Sequence, residues 1–357
     1  MKYGMVFLAL CLLTLVAGST GRAQDLQGTL EKLSEDAAKS YVNPIVSGFG
    51  SDLNGGWFHR APQATKLGFT LEFGVVAMGT FFKDENKVFS SSGSFQFDSS
   101  QSQTLANSIV NNPGNNPLIN AIRDSIRNQV FTVGISGPTI IGSKSDSLRV
   151  TFYGRTFTTF AGSDSVPTQA IVLPITGLIE NLSVLPLAAP QLTLGTVFGT
   201  QVSFRYLPQV QITKEIGSFK YFGFGIQHNP AVWLGDSPLP VDVSLGYFTQ
   251  TLDVGSIFTT KSTSFGIQAS KQLGWSYLNL TPYLGFQSES STMTFTYDYT
   301  INTLTGPQVQ HITFDLKGAN SARFTAGMAL RLGIFNLNAD YNFASYNSAT
   351  AGFMISF

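Results

Sequence analysis

The sequence predicts an all-β fold, an antiparallel transmembrane β-barrel of 12–14 strands with fourteen preferred, behind a short N-terminal helix or plug segment. Three observations lead there. Apolar and small polar residues alternate along much of the chain, and a period of two puts one kind on each face of a strand. Charged residues are only 12% of the 357, against ~25% in typical soluble domains, while 30 are Phe and 35 are Gly. The chain also ends on a strand, Ala349–Phe357, whose odd positions are Ala, Ala, Phe, Ile and Phe. A free edge of that kind invites aggregation in water; a closed ring removes it.

Met1–Ala23 reads as a secretory signal peptide, with Lys2 as the positive start, Val6–Val16 as the apolar core and Gly21-Arg22-Ala23 as the cleavage site. That core is too short for a helix crossing ~30 Å of hydrocarbon. Cys11 lies within it and is the single cysteine, so the mature chain is expected to hold no thiol or disulfide. No later stretch suits a membrane helix; the best, Ala170–Leu192, is broken by Pro174, Glu180, Pro186 and Pro190. Basic and acidic residues balance at 21 each, so nothing points to nucleic acid. An exported, aromatic-rich chain without helical spans is expected in the outer membrane of a Gram-negative cell.

Residues 24–63 form the expected N-terminal segment. Asp25 caps a helix whose Leu26, Leu30, Leu33 and Ala37 share a face, running to about Lys39 and broken at Tyr41-Val42-Asn43-Pro44. Gly48-Phe49-Gly50 and Asn54-Gly55-Gly56-Trp57-Phe58 then read as an irregular connection, placed either in the periplasm or in the lumen as a plug. The barrel is expected over 64–357. In its first strand Leu67, Phe69, Phe73 and Val75 face outward, and Gly68, Thr70, Glu72 and Gly74 face the lumen, because Glu72 needs water or a partner.

Asn86–Phe97 reads as a serine-rich second strand and residues 99–130 as a long loop with one helix, striped by Ile119, Ile122 and Ile126. Leu148–Phe160 reads as a strand, and Thr168–Pro190 as a buried proline-rich loop. Alternation returns at Leu192–Tyr206, Phe222–Gln227, Val241–Gln250 and Phe265–Ser270. A run of hairpins follows, in which Leu278–Phe286 and Met293–Tyr299 flank Ser288-Glu289-Ser290-Ser291. These make about thirteen strands near the ~9–11 residues a tilted membrane strand needs; by the even-number rule one is missed or falsely called, giving twelve or fourteen, and a missed one is expected in 130–175.

Trp57-Phe58, Leu194–Gln201 leading into Arg205-Tyr206-Leu207-Pro208, and Gly223-Phe224-Gly225-Ile226-Gln227-His228 resemble the DUF6588 type, an uncharacterised family of predicted outer-membrane proteins from Bacteroidota-type bacteria. More distantly, the layout is similar to FadL-type transporters of hydrophobic compounds, although a clear N-terminal hatch motif is missing. The last strand resembles the terminal strand of Gram-negative outer-membrane barrels. That likeness implies that Phe353, Ile355 and Phe357 act as the signal read by the barrel assembly machinery. These resemblances imply a fold and a location, and bring no established activity.

The chemistry points away from catalysis. The three histidines, His59, His228 and His311, have no paired spacing, and no Gly-x-Ser-x-Gly elbow occurs. No enzyme activity, cofactor or metal is expected. Glu72, Arg205, Asp242, Arg323, Arg331 and Asp340 fall on faces assigned inward, since charge on the lipid face costs ~2–4 kcal/mol at the midplane. They either line a polar pore or pair with each other and with a plug. The leading expectation is a passive channel, transporter or binder of small hydrophobic molecules, surrounded by outer-membrane lipid and lipopolysaccharide. The alternatives are a non-conducting structural or surface-interaction barrel and, more remotely, a soluble secreted sandwich.

Overall fold

The computed structural model describes residues 26–110, 116–180, 182–213, 217–234, 239–255, 257–303 and 306–357. The expected signal peptide, Asp25 and most of the Asn111–Pro117 turn lie outside the described residues. In chain order the elements are α1 (Leu26–Asn54), β1 (Leu67–Phe81), β2 (Val88–Phe95), α2 (Ser99–Ile109), α3 (Asn116–Arg127), β3 (Phe131–Pro138), β4 (Leu148–Tyr153), β5 (Arg155–Thr159), β6 (Gly162–Val166) and β7 (Gln169–Leu173). There follow β8 (Val184–Val197), β9 (Thr200–Thr213), β10 (Gly217–His228), β11 (Asp242–Val254), β12 (Phe258–Ser270), β13 (Leu273–Trp275), β14 (Leu278–Thr303), β15 (Gly306–Lys317), β16 (Ala322–Leu332), β17 (Phe335–Phe343) and β18 (Ser348–Ser356). They form two compact units: residues up to Pro44 with Lys83–Leu182, and Ile45–Phe82 with Ser183–Phe357.

The second unit is a closed antiparallel barrel. Its ring runs β1-β8-β9-β10-β11-β12-β14-β16-β17-β18 and returns to β1. The closing seam pairs Glu72 with Ser356 through to Thr80 with Ser348. Ten strands therefore close the ring among the described residues, with β13 and β15 as additions to β14. The expectation of fourteen is too high for two reasons. Residues 88–173 pair only among themselves, and their strands, five to eight residues long, are shorter than a membrane strand. The two strands expected around Ser288–Ser291 are a single one, because β14 continues for 26 residues without a turn.

The wall is inverted relative to a water-soluble sheet. Gln191, Thr193, Ser203, Gln227, Ser244 and Gln268 are buried on the inner face, while Phe73, Phe222, Phe265, Phe286, Phe324 and Phe343 are exposed on the outer one. Pro186 and Pro190, read as loop signals, lie within β8. They face Gly79 and Val75 of β1. On its other side β8 pairs with β9 only from Gln191 to Val197, so neither proline is asked for a ladder N–H there.

The first unit holds the sheet β2-β3-β4-β7, the hairpin β5–β6, α2, α3 and the part of α1 up to Pro44. Among the described residues, 99–130 hold two helices, α2 and α3, rather than one in a loop. Asp98 caps α2 through Ser100 and Gln101, and the Gln101 N–H, with the Ser100 hydroxyl, holds its carboxyl below the ordinary range. Ile119, Ile122 and Ile126 line one face of α3 and enter a core shared with Leu33, Phe131 and Val133. Tyr41 donates to Thr176 O at 2.8 Å, and burial pushes its phenol up to about 12. Ile122→Ala should destabilise this unit by about 2–5 kcal/mol. Amide exchange should accelerate across α2 and α3 while the β16–β18 amides keep their protection.

Candidate functional site

The inner face of the barrel is occupied by the chain itself. From Ile45 to Pro62 the segment ahead of β1 runs through the lumen, antiparallel to β1. Gly48 lies against Phe82 and Leu185, Asp52 Oδ1 accepts from Thr80 Oγ1 at 2.7 Å, Gly56 lies against Val76, and Arg60 reaches Glu72. The path ends where Asn229 Nδ2 donates to Pro62 O at 2.8 Å and Ala61 N donates to Ser270 Oγ at 2.9 Å. The insertion of residues 83–182 leaves and rejoins the wall at one point, since Phe82 N bonds Ser183 O at 2.9 Å.

Helix α1 does not stop at Tyr41–Pro44 as expected; it continues through Pro44 to Asn54. The glycines that read as loop signals serve the helix as points of close approach. A Cβ on Gly48 would come within 2.8 Å of Leu185 Cδ2, and one on Gly50 would strike Ser291. The wall supplies the same device in return. Trp57 lies where a Cβ on Gly223 would come within 2.7 Å of its ring, and Phe58 stands 2.5 Å from the corresponding point on Gly285. Trp57 stacks on Phe248 with centroids 5.4 Å apart.

Three buried charged groups tie thread to wall. Arg205 donates to Gln191 Oε1 at 2.9 Å, to Gly55 O at 2.9 Å and to Gly56 O, and its guanidinium sits 4.1 Å from the Trp57 ring centre. It is thus held by carbonyl dipoles and a π face, without a carboxylate among these contacts. Arg323 donates to Ser51 O at 2.6 Å, and its Nε lies 3.0 Å from Glu289 Oε2, with both side chains fully buried. Glu72 accepts from Arg60 Nη2 at 2.8 Å and from Ser356 Oγ at 2.9 Å, and its Oε2 lies 3.1 Å from His59 Nε2.

The other candidates fall elsewhere. Asp340 is buried in the lumen beside neutral donors, Tyr283 Oη at 2.9 Å and Asn342 Nδ2 at 2.8 Å. Asp242 is half-buried near the end of the thread and accepts from Asn229 at 3.2 Å. Arg331 joins none of these networks; its Nε donates to Gly333 O in its own turn at 3.1 Å. Phe353 and Phe357 are exposed on the outer face and Ile355 is partly so, all on the strand or end that closes the ring.

Sequence reasoning set His59 aside as a catalytic or metal residue, placed Glu289 between two strands and passed over Arg60. Glu289 was legible, because Gln287, Glu289 and Ser291 keep the period of two and no Gly, Pro or Asn interrupts them. His228 has both ring nitrogens engaged, with Thr200 Oγ1 at 2.9 Å and Trp233 Nε1 at 3.2 Å. The side chain of His311 lies outside the described residues.

Arg205→Met would leave the Gly55 and Gly56 carbonyls without this donor, at about 1–3 kcal/mol for each unsatisfied group. Faster amide exchange is expected in residues 48–62 with β10–β12 unchanged. Equal acceleration in the wall would mean that Arg205 supports the ring rather than the thread.

No curated protein matches the chain. Among solved structures, it is similar to a loop L8 deletion mutant of OmpT, an outer membrane protein of Vibrio cholerae, at 11% identity, covering 81% of this chain and 99% of that one, with a TM-score of 0.23. It is also similar to the beta domain of the Bordetella autotransporter BrkA, at 11% identity over 80% of this chain and 99% of that one, TM-score 0.18. Salmonella typhi OmpF in complex with daunomycin gives 9% identity, 81% and 97% coverage, and a TM-score of 0.16. Scores this low carry no structural equivalence, and the strand order above stands on this chain alone. The family of unknown function DUF6588 matches residues 1–357, and the chain belongs to that family.

Proposed function

We propose that this protein is an outer-membrane β-barrel whose axial path is closed to ions by its own N-terminal segment. The observation that carries this reading is the course of Ile45–Pro62 through the lumen, bonded to the wall at Thr80, Arg205, Gln250, Ser270, Arg323 and Glu72. Its location is supported by the inverted wall: a ring that exposes Phe73, Phe265 and Phe286 and buries Gln, Ser and Thr suits hydrocarbon outside. The reading assigns the protein no catalytic role. It takes lipid and lipopolysaccharide as surroundings, and Phe353, Ile355 and Phe357 as the end recognised during assembly.

A second reading, passage or binding of small hydrophobic molecules, is favoured by one feature of the wall. Above Gln191 and Arg205 the β8–β9 ladder stops. The buried side chains of β8 itself at that level are Leu187 and Ala189, which share a cluster with Leu53 of the thread, flanked by Phe49. An apolar molecule would meet hydrocarbon there, where an ion would not be solvated.

Single-channel recording of the refolded protein in planar bilayers tests the closed path. The intact chain should be silent, and a variant lacking Gln24–Pro62 should conduct steadily. Stable conductance from the intact chain would overturn the closed-path reading. Gly223→Val, which places a side chain where Trp57 sits, should give intermittent openings between those extremes.

A further inference from the structure

The unit that contains β2–β7 has a feature the barrel does not explain. Between the first half of α1 and the sheet lies a cleft of about 170 Å³. Leu30, Ser34 and Ala37 line it from one face of the helix, being four and three residues apart. Leu148, Val150 and Phe152 line it from alternate positions of β4, and Ile171 and Leu173 from β7. Ser34 is the one polar side chain in the lining.

We propose that this cleft is a binding site for the methyl-terminal part of a single acyl chain. Size supports it, since a dry cavity of ~150 Å³ accepts a benzene-sized guest, room for about six carbons. The lining supports it too. With Ser34 as the one polar side chain, the cleft has little to orient a head group, so the recognised part of the ligand is hydrocarbon. The mouth tells a chain from a compact guest. It opens at β7, the last strand in the order β2-β3-β4-β7, where Ile171 is 53% exposed. A chain whose end fills the cleft leaves over Ile171 and carries its polar group to solvent. It also covers hydrocarbon that an edge strand otherwise presents to water. The site is lined only by residues of the first unit and does not depend on whether the axial path is closed.

The test uses the full chain refolded in a fluorinated surfactant, whose tails mix poorly with hydrocarbon, with isoleucine methyl groups labelled for NMR. Octanoate is the probe. Saturable shifts are expected at Ile135, Ile171 and Ile175, with nuclear Overhauser contacts from the octanoate terminal methyl to Ile135 or Ile175. Ala37→Phe, which fills the cleft from the helix side, should weaken octanoate binding at least tenfold. Absence of saturable shifts in the natural chain overturns the proposal, as does undiminished binding by a folded Ala37→Phe variant. Should that variant fail to fold, the contacts in the natural chain decide. Contacts to Ile135 and Ile175 support the site, and contacts confined to isoleucines of the barrel wall overturn it.

Discussion

Glu72 is where the thread, the first strand and the last strand meet. Its carboxylate takes a hydrogen bond from Arg60 on the thread and another from Ser356 on β18, with His59 beside it. A buried carboxylate is tolerated only when its charge is paired and its lone pairs are used. Glu72 therefore binds the closure of the ring to the seating of the thread. Neither is complete alone. Because Pro62–Lys66 reverses the chain from thread into β1, the two lie side by side like the arms of a hairpin, and β18 pairs with the same strand that the thread runs along.

The filling explains why the inner face is built from small and amide side chains. A ten-stranded ring has limited room, and a helix followed by Trp57 and Phe58 occupies much of it. Glycines on both partners bring backbones and rings within contact distance, at Gly48 and Gly50 on the thread and at Gly223, Gly225 and Gly285 on the wall. Of the polar side chains that project inward, some bond one another, as Ser244 does with Gln268, and others end on thread carbonyls, as Arg205 does at Gly55 and Gly56 and Arg323 at Ser51. Nearer the Phe82 mouth, Leu53 meets Val76, Met78 and Leu187 instead. The lumen is thus graded, polar around Glu72 and Arg205 and apolar around Leu53.

Alternation in the wall was legible because it is a local property: Phe73, Val75 and Ala77 against Glu72, Gly74 and Thr80 needs only the pleat of one strand. The inward placement of Glu72, Arg205, Arg323 and Asp340 follows from the same rule. Partner choice does not. Nothing local tells Arg323 that it faces Glu289 and Ser51, because those residues meet only across a closed ring. Arg331 obeys the alternation and still bonds its own turn, since it sits one residue from the end of β16.

Strand count failed for a related reason. Period two marks a strand and is silent about which sheet it joins. Val88–Phe95 and Phe131–Pro138 alternate like wall strands, yet they pair with each other because the chain between them folds into α2 and α3 on a common core. Pro44, Pro186 and Pro190 misled in the opposite direction. Each removes one N–H, and whether that matters depends on whether a neighbour was there to receive it. By itself the sequence determined the class of fold, the two faces of the wall and the strand that ends it, because side-chain period and burial cost act residue by residue. Tertiary structure alone decided the number of strands in the ring, the course of residues 45–62 through it and the partner of each buried charge. Those are properties of closure, and closure is set only when distant parts of the chain meet.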